Sequence, residues 1–84
     1  MYFVYIIYSV NFDKYYIGQT NNISERIARH NSGYENFTSK YIPWELVCVL
    51  EKQTRSEAVI LENKLKNLNR ERLKSFILKY RSRR

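Results

Sequence analysis

The stretch that decides the fold is Tyr2-Phe3-Val4-Tyr5-Ile6-Ile7-Tyr8, an unbroken run of apolar and aromatic residues near the start of the chain. Such a run is typical of a β-strand that is covered on both faces, because no polar residue marks a solvent side. A strand of this kind lies in the centre of its sheet. The run therefore predicts a small sheet built around residues 2–8, with a strand on either side.

The segments after this strand supply its first partners. Residues 11–14 have the composition of a turn and lead into a short strand at residues 15–18, so that the two strands form a hairpin. Asn21 or Asn22 caps the helix that follows, and Gly33 ends it.

The second half of the chain predicts one more strand and two more helices. Residues 34–43 are a polar and aromatic loop, and residues 44–51 are a third strand. A capping box at residues 54–57 starts a second helix, and a third helix begins near Asn69. The predicted fold is α+β: a three-stranded antiparallel sheet flanked by helices, in the order β-β-α-β-α-α.

Composition limits the class of protein. The 84 residues are 44% hydrophobic and 15% aromatic, which predicts one globular domain at residues 1–80 and a basic C-terminal tail at residues 81–84. We expect no membrane span and no signal peptide, because apolar runs are short and Met1 leads directly into a strand. The single cysteine, Cys48, excludes an internal disulfide and fits a buried structural thiol. A cytoplasmic protein is expected.

The net charge of +7 is unevenly placed. Residues 1–51 carry four basic and five acidic side chains, whereas residues 52–84 carry eleven basic and three acidic ones. A positive field attracts polyanions, chiefly nucleic acid, although a solvated helical face is the alternative. The side chains that we predict to bind nucleic acid are Lys40, Lys64, Lys66, Arg81, Arg83 and Arg84.

Glu62 stands where a carboxylate is costly. Helical spacing places it on the same face as the apolar residues Ala58 and Leu65. An ionised carboxylate that faces a core must be paired or must bind a cation. The position leaves both open: a metal ligand, or an ion pair with a nearby lysine or arginine.

Arg26 and His30 fall one turn apart on the first predicted helix. The guanidinium offers a fork of donors that fits a phosphate, and the imidazole can hold or move a proton near neutral pH. Taken singly, each residue is equally compatible with a structural role, as a surface arginine or a hydrogen-bonded histidine.

Tyr5 and Tyr16 lie on the first two strands, where a hydroxyl can orient or deprotonate a water molecule. The alternative is that tyrosines fill the core, and we expect this for most of the eight, including Tyr2 and Tyr8. Gly18 precedes the first helix. Its missing side chain lets a phosphate approach the backbone there; the alternative is that the glycine only makes a turn.

As a set, these residues resemble the GIY-YIG nuclease superfamily, and especially its small stand-alone bacterial members. The resemblance covers roughly residues 2–78. Phe3-Val4-Tyr5 corresponds to the first signature strand, with Phe3 in place of the glycine, and Tyr16-Ile17-Gly18 matches the second in full. The segment that runs on to His30, the third strand after Pro43 and the helix that contains Glu62 also resemble the family.

The resemblance implies a divalent-metal-dependent endonuclease that hydrolyses DNA phosphodiester bonds, in DNA repair or processing. It implies that Glu62 binds one Mg²⁺ or Mn²⁺ ion. A single ion that keeps several waters agrees with the presence of only one inward carboxylate. The residues that match the family's catalytic positions are Tyr5, Tyr16, Arg26 and His30, with Gly18 as the signature glycine. The family also has a late asparagine. Asn67 and Asn69 are the nearest candidates here, but fewer residues separate them from Glu62 than in the family pattern.

Two other functions compete with this hypothesis. A non-catalytic nucleic-acid-binding domain that keeps the same scaffold would bind DNA without metal-dependent cleavage. A module whose aromatic surface docks a protein would bind with little dependence on salt, whereas phosphate binding weakens steeply as salt rises. For the nuclease, we expect DNA as the substrate, including branched or single-stranded forms, and a protein partner that supplies specificity.

Overall fold

The computed structural model describes residues 1–81, which form an α+β fold in the predicted order β-β-α-β-α-α. The three strands pair antiparallel in the order β2-β1-β3, which confirms the predicted sheet. A 3₁₀ helix, Thr38–Tyr41, lies between the first α-helix and the third strand. The other elements are β1 (Tyr2–Ser9), β2 (Lys14–Thr20), α1 (Ile23–Ser32), β3 (Glu45–Lys52), α2 (Arg55–Lys66) and α3 (Arg70–Tyr80).

The central strand β1 is buried on both faces, as its apolar run predicted. Val4 and Ile6 pack into the layer formed by α2 and α3, and Tyr5 and Ile7 pack into the layer formed by α1. None of the four is more than 1% exposed. The sheet therefore separates two layers, and the alternation of side chains along β1 assigns each residue to one of them.

Helix α1 begins and ends through local side-chain and backbone chemistry. Asn22 is the residue that caps it: its side chain accepts a hydrogen bond of 3.1 Å from the backbone N–H of Glu25. Gly33 ends the helix in the left-handed conformation, with φ of 86°. That conformation favours glycine, as predicted.

Helices α2 and α3 are capped in the same way. Thr54 accepts from the backbone N–H of Glu57, whereas the Glu57 carboxylate accepts from the N–H of Gln53 and not from that of Thr54. Only half of the predicted capping box therefore forms. Asn69 caps α3, as expected.

Two details of packing differ from expectation. The apolar stripe of α3 holds Leu73 and Ile77 in the core, but Tyr80 is 43% exposed. Tyr34 is 76% exposed, so not every tyrosine outside the candidate site fills the core. Cys48 is buried as predicted, and burial raises the pKa of its thiol. Within residues 1–81, every helix is too short or too polar to cross a membrane.

Candidate active site

A buried chain of three polar side chains lies between β1, α1 and the 3₁₀ helix. The Tyr5 hydroxyl is 2.8 Å from His30 Nε2, and His30 Nδ1 is 2.8 Å from Thr38 Oγ1. None of these residues is more than 1% exposed. Tyr5 reaches this layer because it projects from the α1 face of the central strand, and His30 reaches it from the last turn of α1.

Burial sets the protonation of this chain. It raises the pKa of Tyr5 to about 12, although the nearby Arg26 guanidinium acts to lower it. Burial also lowers the pKa of His30, which the Glu35 carboxylate opposes. Near neutral pH, the phenol is therefore protonated and the imidazole is neutral. A neutral imidazole donates through one nitrogen and accepts through the other, so when Tyr5 donates to Nε2, Nδ1–H donates to Thr38.

Gly18 makes room for the Tyr5 ring. The two residues are directly opposite each other in the β1–β2 register. A Cβ atom at Gly18 would lie 2.5 Å from the Tyr5 hydroxyl oxygen and 2.7 Å from Cζ. The structure thus gives Gly18 a packing role that the sequence did not indicate. The approach of a phosphate to this part of the backbone stays a prediction.

Tyr16 shares this layer but keeps contact with solvent. Its ring centroid is 5.1 Å from that of His30 and 6.4 Å from that of Trp44. Tyr16 is half-buried, whereas Tyr5 is completely buried. Of the two predicted catalytic tyrosines, Tyr16 is therefore the one whose side chain a substrate can reach without a rearrangement.

Arg26 is half-buried and lines a small polar cavity next to this layer. The cavity has a volume of about 190 Å³ and includes a second guanidinium, that of Arg55 at the start of α2. The Arg55 guanidinium carbon lies 5.4 Å from the centroid of the Tyr2 ring. Two guanidinium groups in one cavity are suited to binding a phosphate. The other lining residues are Tyr2, Gln19, Thr20 and Asn21.

Glu62 lies on α2, on the opposite face of the sheet from α1. Its side chain is 15% exposed and forms an ion pair of 3.0 Å with Lys66, one turn along the helix. Gln19 Nε2 donates to Glu62 Oε1 at 3.4 Å. The ion pair that the sequence left open as an alternative is thus present. Gln19 also lines the cavity that contains Arg26, so it connects the two sides of the candidate site.

The donors around Glu62 fit a hard cation. Carboxylate and amide oxygens are the ligands that Mg²⁺ prefers, and such an ion usually keeps several waters. Within the described part of the chain, no three His, Cys, Asp or Glu side chains cluster as a metal site. An ion at Glu62 would therefore draw its remaining ligands from water and substrate, because the Gln19 amide presents its N–H to this carboxylate.

Two hydrogen bonds to one side chain fix the loop that carries Thr38. Asn31, near the end of α1, accepts from the Trp44 backbone N–H at 2.6 Å and donates to the Trp44 carbonyl oxygen at 3.1 Å. Trp44 Nε1 in turn donates to the Thr38 carbonyl oxygen at 2.8 Å. These contacts hold Thr38 within hydrogen-bonding distance of His30 Nδ1.

Sequence reasoning missed Thr38, Gln19 and Arg55. Thr38 lies in a segment without hydrophobic periodicity, and only its distance from His30 identifies it. Arg55 could have been noticed, because it follows the predicted cap Thr54 directly and so occupies the exposed first position of a helix.

The predicted nucleic-acid-binding residues are dispersed. Lys40, Lys64 and Arg81 are exposed, while Lys66 is paired with Glu62. Arg83 and Arg84 lie outside the described residues. Asn67 donates to the Asn63 carbonyl oxygen, and Asn69 caps α3, so both have local structural contacts.

The chain is similar to known proteins in both sequence and structure. The chain matches the GIY-YIG catalytic domain over residues 1–75. A UPF0213 protein of Listeria welshimeri is 31% identical over 77 residues, which cover 90% of this chain and 84% of that protein. The solution NMR structure of a UPF0213 protein from Bacillus halodurans aligns with a TM-score of 0.59 at 28% identity, covering 92% of this chain and 83% of that one. The matched region contains every predicted catalytic residue and Glu62, in a domain that is typically an endonuclease fold. The chain belongs to the GIY-YIG family.

Proposed function

We propose that this chain is an endonuclease that hydrolyses DNA phosphodiester bonds with the help of one divalent metal ion. The observation that carries the proposal is the buried Tyr5–His30 hydrogen bond, 2.8 Å long, next to the accessible Tyr16. Apolar side chains are sufficient for a core that serves only stability. Buried polar side chains are more demanding, because each of them needs a hydrogen-bond partner. This layer instead holds a hydroxyl and a neutral imidazole close to a guanidinium.

The burial of each residue suggests its role. Tyr16 is accessible, so its hydroxyl orients the attacking water. Tyr5 is completely buried and acts as a positioning residue that links this region to His30. Both ring nitrogens of His30 are hydrogen-bonded inside the protein, so the imidazole acts on the site by holding the Tyr5 hydroxyl in place through Nε2.

Arg26 and Arg55 bind the phosphate in the cavity that they share. Their guanidinium groups donate to its oxygens and stabilise the negative charge that increases in the transition state. This assignment is supported by the half-burial of Arg26 and by the cavity volume of about 190 Å³.

Glu62 would hold the metal ion, and the Gln19 amide, whose N–H now donates to Glu62, would have to turn over to offer its oxygen. When bound, Mg²⁺ or Mn²⁺ would supply a Lewis acid for the leaving oxygen. Lys66 must release the Glu62 carboxylate for this to happen, since its ammonium now lies 3.0 Å away. A domain this small has little surface for reading bases, so we propose that it selects DNA by structure in repair or processing, with a protein partner that adds specificity.

The deciding experiment is incubation with branched, single-stranded and duplex DNA, with and without Mg²⁺ or Mn²⁺. We expect cleavage only with the ion. Glu62→Gln should fold and bind DNA but not cut, because the neutral amide lacks the negative charge that attracts the cation. Glu71→Gln, at an exposed position on α3, is the matched control and should cut normally. Normal cleavage by Glu62→Gln would refute the assignment of the metal site.

One observation favours the non-catalytic alternative. The Glu62 carboxylate already has partners in Lys66 and Gln19, so it is satisfied without a cation. If the wild-type protein binds DNA but cuts none of these substrates with either ion, the chain is a binding domain built on a nuclease scaffold.

A further inference from the structure

Four aromatic rings form a continuous row that leads from solvent to the candidate site. The ring centroids are 5.4 Å apart between Phe12 and Tyr41, 5.2 Å between Tyr41 and Phe37, and 6.0 Å between Phe37 and Tyr16. We call these four residues the aromatic row. Its inner end is Tyr16, whose ring is next to His30.

The outer part of the row is too exposed to be explained by core packing. Phe12 is 51% exposed and Phe37 is 50% exposed. They come from separate segments, the β1–β2 turn and the loop before the 3₁₀ helix, so the fold brings them together. Clustered aromatic side chains at the surface, continuous with a functional site, are typical of a binding surface.

Basic side chains accompany the row. Lys14 Nζ lies 5.3 Å from the centroid of the Tyr41 ring, and Lys40 is exposed on the same 3₁₀ helix as Tyr41. Lys14 and Phe37 also line a cavity of about 300 Å³ together with Arg70, which is paired with Asp13. Flat apolar rings interleaved with cations suit a ligand that has both flat apolar groups and negative charge.

We propose that the aromatic row is a stacking platform for the unpaired bases of single-stranded DNA. Successive bases of a single strand stack on aromatic side chains, while basic residues follow its phosphates. Duplex DNA keeps its base faces stacked internally, so it cannot use such a row without unpairing. The inference rests on the proposed function and gives its substrate form: a strand stacked on the row places a phosphodiester near Tyr16 and Arg26.

The test compares DNA binding by the wild type and by Phe12→Leu/Phe37→Leu, which keeps apolar bulk but removes both exposed rings. Fluorescence anisotropy with a short labelled oligothymidylate and with a labelled duplex reports the two affinities. We expect the variant to bind the single strand about tenfold more weakly or worse, and the duplex as the wild type does. Thermal melting of both proteins establishes that folding is intact.

Two controls distinguish base stacking from the effect of charge and from the loss of any exposed aromatic ring. Tyr80→Leu removes a ring that is 43% exposed from α3, outside the row, and should bind like the wild type. An oligonucleotide with abasic residues keeps the phosphates but lacks bases, so it should bind the wild type as weakly as thymidylate binds the double variant.

Equal single-strand affinity in wild type and double variant overturns the proposal, as does equal loss for single strand and duplex. Tight binding of the abasic strand overturns it as well, and leaves the row as a docking surface for another protein. The two proposals can fail separately. If the wild type cuts no DNA but the ring-dependent binding is found, only the nuclease assignment fails. If duplex and single strand are cut alike by both proteins, only the stacking platform fails.

Discussion

At the scale of single residues, Tyr5 and Tyr16 each differ from phenylalanine only by a hydroxyl group. The Tyr5 hydroxyl satisfies His30 Nε2 inside the protein, whereas Tyr16 is half-buried at the site. A role in packing needs the ring, and a role in catalysis needs the oxygen. Replacing the hydroxyl alone therefore separates the two roles at Tyr16, whereas at Tyr5 the hydroxyl also contributes to stability.

We expect Tyr16→Phe to lower the cleavage rate about 10²-fold or more with an unchanged melting temperature. Tyr5→Phe should lower both, because it leaves a buried imidazole nitrogen without a partner, at a cost of about 1–3 kcal/mol in the free energy of unfolding. Tyr8→Phe is the control: its hydroxyl donates to the exposed Asp13, so rate and stability should change little. Equal rates in all three variants would assign these tyrosines to packing alone.

His30 predicts a loss of stability in mild acid. Burial holds its pKa below the value of about 6.5 in the unfolded chain. As the pH falls below that value, the unfolded chain takes up a proton before the folded one does. The free energy of unfolding should therefore fall by up to about 1.4 kcal/mol per pH unit until the folded pKa is reached. His30 is the chain's only histidine, so His30→Gln should abolish this part of the slope in urea titrations. An unchanged slope would assign the effect to carboxylates.

Gly18 predicts a steric effect that the other glycine does not share. In Gly18→Ala, the new methyl group meets the Tyr5 side chain and displaces its hydroxyl from His30. Overpacking of this kind costs about 1–3 kcal/mol, and cleavage should fall with it. Gly33→Ala is the matched control, since its cost of about 1 kcal/mol comes from backbone strain at φ of 86°, away from the site. Wild-type cleavage rates in Gly18→Ala would show that the position of Tyr5 is not critical.

At the scale of secondary-structure elements, α2 carries both Glu62 and the cation that neutralises it. Lys66→Met removes that cation and keeps most of the apolar chain length. We expect half-maximal cleavage at a several-fold lower Mg²⁺ or Mn²⁺ concentration, because the ion no longer competes with an ammonium. The loss of one pair within a helix should cost only about 0.3–0.5 kcal/mol. Lys64→Met, exposed on the same helix, is the control. The same metal dependence in both variants would mean that Lys66 does not compete.

The elements differ in how far sequence predicts them. The apolar run of β1 and the Asn22 and Asn69 caps are local signals, and they predicted the start of this strand and of two helices, although β1 is one residue longer than predicted. Strand β2 is longer than predicted, because Gln19 and Thr20 are polar and only pairing with β1 shows that they are extended. Thr38 could not be found at all, since its role depends on a contact between the loop and α1.

In the candidate site, too, the sequence predicts some features, while others depend on contacts that only the fold creates. The residue types of Tyr5, Arg26 and His30 suggest phosphodiester chemistry, and their nearness on β1 and α1 follows from the hairpin and the helix after it. The contact between Glu62 and Gln19 joins residues 43 positions apart, and no sequence period predicts it. The ion pair of Glu62 with Lys66, by contrast, follows from their spacing of four residues along one helix, and the sequence analysis left such a pair open.

At the scale of the whole molecule, we expect the exposed basic side chains, of which most lie in residues 52–84, to set the salt dependence of DNA binding. Lys40→Gln/Lys64→Gln removes two exposed cations from separate elements. The slope of log affinity against log salt should flatten by about 0.7 for each lysine that contacts a phosphate of single-stranded DNA. Lys40→Arg/Lys64→Arg retains the charges and should retain the slope. If the glutamine variant also keeps the wild-type slope, the phosphates lie elsewhere on the surface.

The first residues of the chain enter the sheet at its centre, not at an edge. Tyr2 begins β1 and lines the cavity that contains Arg26 and Arg55, while Phe3 lines a neighbouring cavity of about 510 Å³ next to the start of α1. An affinity tag fused before Met1 would therefore leave the protein between two strands and beside the proposed phosphate pocket. A histidine-rich tag there brings its own metal ligands to the place where metal dependence is to be measured. Protein for these assays should have its tag removed by a protease, since the other end carries the arginines predicted to bind nucleic acid.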